Sequence, residues 1–231
     1  MFTFSSSYAR DVFAQAQERL VTICENYVQE HNTSPDALGT ELPNILIAIQ
    51  ICEKQHNLIS LGFLIHSTGE MLFASTLYCE ALQLATTLAD ERGKALAMFH
   101  LGEIARVQDR IDEALHYLRQ SEDIARRMDD QTGLASIYAS LGRLYLYQEQ
   151  YSLALPNLRE CVLLESAWGE TRILAENLYW LGYALANTGR IEEAQDCFLR
   201  ARAIFMHMDQ ERVTDVDRAL ARLEAALEAG T

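Results

Sequence analysis

Lysine is nearly absent from this chain. Of 19 basic residues only Lys54 and Lys94 are lysine, and 33 acidic residues leave a net charge of −14. Such a balance excludes the general attraction to nucleic-acid phosphates or anionic lipid on which basic proteins rely. Proline (3) and glycine (11) are scarce, which excludes collagen-like, linker-like and low-complexity chains. There is no long hydrophobic run. The most apolar stretch, Leu42 to Cys52, is interrupted by Pro43, Asn44 and Gln50 and falls far short of the ~20 residues that span a bilayer. The start, MFTFSSSYARDVF, lacks the basic head and unbroken apolar core of a secretory signal. The five cysteines, at 24, 52, 79, 161 and 197, are odd in number and include no CxxC pair. They read as reduced, buried small hydrophobes of a cytoplasmic protein rather than a disulfide framework or a zinc site. No GxSxG nucleophile elbow is present. No catalytic residue, metal or cofactor is expected.

What is present is a period. Leu-Gly occurs at Leu61-Gly62, Leu101-Gly102, Leu141-Gly142 and Leu181-Gly182, a spacing of 40 each time. After each glycine the same series follows: an alanine (Ala74, Ala114, Ala154, Ala194), a large apolar residue (Tyr78, Leu118, Leu158, Phe198) and a small one (Ala81, Ser121, Cys161, Ala201). A fixed period of this length marks a repeat architecture. Each unit reads as two helices. The first carries an apolar stripe, as at 96, 98, 101, 104 and 105. A polar break follows, and a second, longer helix runs to about Leu88, Met128, Trp168 and Met208. Pro156, inside one of these second helices, is expected to loosen or bend it. Glycine within a helix costs about 1 kcal/mol relative to alanine. Four of them make sense if the paired backbones need the room, with Ala114 and its equivalents set against the glycine. The sequence therefore predicts an all-α chain of antiparallel helix pairs stacked as a right-handed α-solenoid.

Small-Gly-large-Ala-large-small at these intervals resembles the tetratricopeptide (TPR) repeat. The usual period is about 34; here the joints Ala89-Asp90-Glu91-Arg92-Gly93 and Asp129-Asp130-Gln131-Thr132-Gly133 resemble the variant with 40-residue units. The third joint, Trp168-Gly169-Glu170-Thr171-Arg172, departs from them. The resemblance covers four repeats, 55–94, 95–134, 135–174 and 175–214. A polar capping helix over 215–231 is expected to close the core, and an N-terminal flank of two helices over 1–54 precedes the repeats. From Leu42 to Ala89 the only charges are Glu53, Lys54, Glu70 and Glu80. Either the first helix folds over this segment or the segment faces another domain of a longer chain. A second resemblance bears on the latter. Tyr27-Val28, a polar loop, then Leu38-x-x-Glu41-Leu42-Pro43-Asn44-Ile45-x-x-Ala48-Ile49 is similar to the stretch that follows the winged helix in bacterial STAND (NB-ARC-type) NTPases and leads into 40-residue TPR units. It implies a C-terminal sensor domain whose partner is the NTPase and winged-helix part of the same parent chain. This chain itself has no GxxxxGK[ST] loop.

The TPR resemblance also implies a ligand-binding groove lined by the first helices. Counted from Gln55, Ala95, Ala135 and Ala175, the lining in repeat one is His56, Phe63, His66 and Ser67. Repeat two gives Phe99, His100, Glu103 and Arg106. Repeat three gives Ser136, Ser140, Arg143 and Tyr147, and repeat four gives Glu176, Tyr179, Trp180, Tyr183 and Asn187. The aromatic cluster of repeat four either anchors a ligand or packs on the terminal helix. Arg106 and Arg143 either hold a carboxylate or phosphate or pair with Glu103 and Glu176. The groove has one Asn and no Lys, unlike the TPRs that grip chaperone tails. His100 and Glu103 share a helix face and with His66 of the previous repeat could make a metal site, but groove polars of this kind are usually just solvated. The expected function is non-catalytic binding of a protein or peptide, or of a small effector, in a STAND sensor domain, with no nucleic acid or membrane. The alternative is a free-standing TPR adaptor or peptide-pheromone receptor.

Overall fold

The computed structural model describes residues 21, 22, 24, 25 and 71–229. Residues 21, 22, 24 and 25 are helical, with Val21 and Cys24 buried; the rest of the expected N-terminal helices, the first Leu-Gly pair, His56, Phe63, His66 and Ser67 lie outside the described residues. Among the described residues no strand occurs, and from residue 71 onward there are eight helices: α1 (Met71–Thr87), α2 (Glu91–Val107), α3 (Ile111–Arg127), α4 (Gln131–Tyr147), α5 (Tyr151–Ser166), α6 (Arg172–Asn187), α7 (Ile191–Phe205) and α8 (Gln210–Ala229). The chain divides into two compact units, Met1–Ile104 and Ala105–Thr231.

The joints set the rhythm. Ala89, Asp109, Asp129, Glu149, Gly169 and Gly189 all have positive φ, one every 20 residues. Each stands just past a helix end, where a left-handed residue turns the chain. At five of these joints the next amide bonds back to a carbonyl five residues earlier: Asp90 to Ala85 at 2.8 Å, Arg110 to Ala105 at 2.8 Å, Asp130 to Ala125 at 3.0 Å, Gln150 to Tyr145 at 2.9 Å and Arg190 to Leu185 at 2.9 Å. The repeat of 40 is thus two helix-plus-turn units of 20. This corrects the expected longer second helix: α2, α3 and α4 have 17 residues each, and α5 and α6 have 16 each. Starts are also specified locally. The Asp90 carboxylate accepts from the Gly93 amide and Asp130 from Gly133, both at 3.0 Å. The third joint does depart: Gly169 has φ 98, and α6 begins only after an extended Thr171, whose hydroxyl accepts from the Leu174 amide at 3.0 Å.

In the first unit, α1 and the start of α2 are tied by Tyr78, fully buried, whose ring stacks on His100 with centroids 4.6 Å apart. In the second unit each helix packs on its sequence neighbours, and α4 also touches α6, and α6 touches α8; no backbone contact links α5 to α7. The first-helix row is therefore the tight row and the second-helix row the open one. This unit curves, with α4, α6 and α8 on the inner side. Its core runs through Leu158, Leu178, Leu185, Phe198, Phe205 and Val216.

The glycines act where the sequence places them, though against a different neighbour. A Cβ on Gly142 would lie 2.5 Å from the Leu158 side chain. One on Gly182 would lie 2.9 Å from the Phe198 ring and 3.2 Å from the Ala194 carbonyl oxygen. The space is taken by the large apolar residue, not by the alanine methyl. Pro156 does not interrupt α5, which runs unbroken through it. Pro156 and Ser152, whose carbonyl loses its amide donor, are both exposed, so water can serve that carbonyl. The Asn157 side-chain amide donates to the Leu153 carbonyl at 2.8 Å. The closing helix starts at Gln210, five residues before the expected 215, because Asp209 accepts from the Arg212 amide at 3.1 Å. Val213 and Val216 then enter the core.

Two stability measurements check this packing. Gly142→Ala and Gly182→Ala should each lower the unfolding free energy by about 1–2 kcal/mol in urea titration, because overpacking exceeds the helix-propensity gain. Glu149→Gly should instead raise it by about 0.5–1 kcal/mol, since glycine relieves a left-handed turn.

Candidate functional site

The curvature of the second unit gives α4 and α6 an inner face. At about 100° per residue, Tyr179, Trp180, Tyr183 and Asn187 share one side of α6, while Leu181 and Leu185 occupy the opposite side. Aromatic rings cluster there edge to face. Tyr179 and Trp180 are 5.1 Å apart, Trp180 and Tyr183 6.4 Å, and Tyr183 and Tyr151 of α5 6.2 Å. Such contacts hold the rings in one arrangement. Tyr183 is 38% exposed and Tyr147, at the end of α4, 68%. Tyr179 is half-buried against Phe198 at 5.6 Å, and burial, then the charge of Asp215, pushes its phenol pKa up. The two readings of this cluster thus divide by residue: Tyr179 belongs chiefly to the packing, and Tyr183 and Tyr147 face outward. Trp180 does both. It packs on the core and edges a small crevice with Glu176, Phe205, Arg212, Asp215 and Val216.

The polar members fall out differently. Asn187 is exposed, with its amide donating to the Tyr183 carbonyl at 2.8 Å. Ser140 is fully buried, which corrects its assignment to the lining. Its hydroxyl instead accepts from Arg143 at 3.3 Å and so positions that half-buried guanidinium. Glu176 is paired with Arg172 at 2.9 Å. Arg106 is half-buried at the end of α2. In the first unit Phe99, His100 and Glu103 are half-buried. Phe99 meets His100 edge to face at 5.2 Å, and His100 is committed to the Tyr78 stack.

No trio of metal-ligating side chains occurs among the described residues, and no described helix is long and apolar enough to cross a membrane. Burial, then Glu165, pushes the Cys161 thiol up to about 12. Burial, then Asp196, pushes Cys197 up to about 11. Both are therefore protonated and weakly nucleophilic at neutral pH.

Two buried carboxylates escaped the sequence reading. Glu122 is 6% exposed. Burial alone would raise its pKa, but hydrogen bonds from Arg119 at 2.6 Å and Arg126 at 2.9 Å bring it below the ordinary value. Arg119 also reaches the Tyr145 hydroxyl at 3.2 Å, tying α3 to α4. Glu165 is 8% exposed, and burial raises its pKa. The arginines one turn before and one turn after Glu122 were visible in the sequence; the burial of Glu165 was not.

The comparisons with known proteins agree with this fold. Tetratricopeptide repeat profiles match residues 95–162 and 175–201. The fold is similar to BtubC (BKLC) from P. vanneervenii, at 19% identity over 84% of this chain and 93% of that one, with a TM-score of 0.61. It is also similar to a Podosopora anserina kinesin light chain candidate of nearly identical TPR-like repeats, at 16% identity over 85% and 98%, with a TM-score of 0.56. No curated protein sequence matches the chain. The chain carries TPR repeats, and its fold is an all-α TPR solenoid.

The carboxylates give a signed test. Glu122, with a lowered folded pKa, contributes stability above the unfolded carboxylate pKa that is lost as pH falls through the folded value. Glu165, with a raised one, favours the fold when protonated, and that stability is lost as pH rises through its folded pKa. At pH 7 Glu122→Gln should cost about 1–2 kcal/mol, reduced by the exposure of its arginines. Glu165→Gln should gain up to about 1 kcal/mol. Repeating both urea titrations near pH 4 should shrink both differences.

Proposed function

We propose that the second unit binds a protein or peptide segment on the inner face of α4 and α6. Tyr147, Trp180 and Tyr183 act as anchors, and Arg143 and Asn187 as polar contacts. TPR repeats serve as non-catalytic protein-binding scaffolds, and this chain carries them. The observation that carries the placement is the edge-to-face chain Tyr179–Trp180–Tyr183–Tyr151. It keeps large amphipathic side chains half-exposed on the concave side at little entropic cost. Arg143, oriented by Ser140, can meet a carboxylate or phosphate on the ligand. Arg106 joins this lining by repeat position, and Phe99, His100 and Glu103 are proposed by the same count as a lining of the first unit by itself.

The finer reading is that of a sensor domain in a bacterial, cytoplasmic STAND NTPase. There, ligand binding would relieve the autoinhibition of a nucleotide switch on the same parent chain. What supports it is the resemblance of the Tyr27–Ile49 segment, and the alternative is a free-standing adaptor or peptide-pheromone receptor. An upstream reading frame encoding a P-loop and a winged helix would support the sensor, and a natural start at Met1 would refute it.

The groove is tested by pull-down from the native host, with the captured partner identified by mass spectrometry. Trp180→Ala and Arg143→Ala should each weaken its binding by about 10-fold or more. Unchanged affinity in both refutes the site.

A further inference from the structure

A cavity lies on the other side of α6. Because the backbones of α5 and α7 stay apart, they leave between them a groove of about 540 Å³. Its floor is Leu181 and Leu185, and its walls include Val162 and Leu163 of α5 and Cys197 of α7. Leu163 is 66% exposed. This side of α6 is opposite the one that carries Tyr183 and Asn187, so the two surfaces are separate.

The rim says what fits. Glu193 of α7 is satisfied twice, by Arg159 across the groove at 2.7 Å and by Arg190 at 2.5 Å. Glu192 and Asp196, one turn apart on the same rim, are exposed and have no ion-pair partner among the described residues. Arg200, one turn further, likewise has none. Two uncompensated carboxylates therefore stand against one guanidinium beside an aliphatic floor. The charge complement is basic and the floor calls for a branched or aromatic side chain. We propose that this outer groove docks a short amphipathic segment of a partner protein, with an apolar side chain seated on Leu163, Leu181 and Leu185 and a Lys or Arg paired with Glu192 and Asp196. The apolar floor supplies most of the affinity and the carboxylates set orientation, since exposed ion pairs add little on their own. The shallow site fits a weak, transient contact rather than a permanent one.

The probe is a fluorescein-labelled amphipathic peptide of leucine and lysine, read by anisotropy, beside a version with glutamate for every lysine. The leucine–lysine peptide should bind and the leucine–glutamate peptide should not. Leu163→Asp, on an exposed position that leaves the fold intact by circular dichroism, should weaken binding about 10-fold or more. The pair Glu192→Lys with Asp196→Lys should weaken it similarly and admit the glutamate peptide. The pair Glu211→Lys with Glu224→Lys on α8 should leave it unchanged. Equal loss in the α8 pair would mean diffuse attraction to an acidic surface and overturn the proposal. So would retained affinity in both groove variants. Self-association in sedimentation that Leu163→Asp abolishes would assign the groove to a second copy and overturn it as well.

Discussion

Every other feature of this chain depends on how closely the paired helices approach. At Gly142 and Gly182 a side chain would collide with Leu158 and Phe198, so each of these first helices can sit on its second helix only because it presents bare backbone there. That approach buries Leu158 and Phe198 and fixes the pair as a unit. The left-handed turns every 20 residues then set where each helix stops. Individual helices of 15–17 residues would be marginal alone. Stacked, each covers the apolar faces of its neighbours, and stability becomes a sum over adjacent contacts.

The curvature follows from the same geometry. In the second unit α4, α6 and α8 touch in turn while α5 and α7 stand apart. One asymmetry thus produces two surfaces: an inner face crowded with rings, and an outer cleft floored by leucines. The inner face carries the proposed ligand site. The outer cleft would let the same stack hold a second partner without competition, a useful property for a scaffold that joins proteins.

The period, the helix pairs and the fold class were legible in the sequence because they rest on residue types that leave little choice: a glycine recurring inside an apolar helix, and a large residue at a fixed distance from it. The turns were less legible. Ala89, Asp109, Asp129 and Glu149 adopt left-handed backbone without glycine, so only their spacing betrays them. Equal helix lengths follow from those turns, which is why an expectation of one long and one short helix failed. The cost of Pro156 to its helix depends on exposure, which a sequence does not display. Counting by repeat position put Tyr179, Trp180, Tyr183 and Asn187 on one side of α6. It could not reveal that Ser140 is buried under Arg143 or that His100 is held by Tyr78. The outer groove was invisible, because it exists only in the separation of two helices that are not neighbours in sequence.

The central claim is that ligand meets the inner side chains of α4 and α6. Hydroxyl-radical footprinting of the chain with and without its captured partner reads this at side-chain level. The account predicts that Tyr147 and Tyr183 lose labelling in the complex. Unchanged labelling at both, with protection elsewhere, would contradict it.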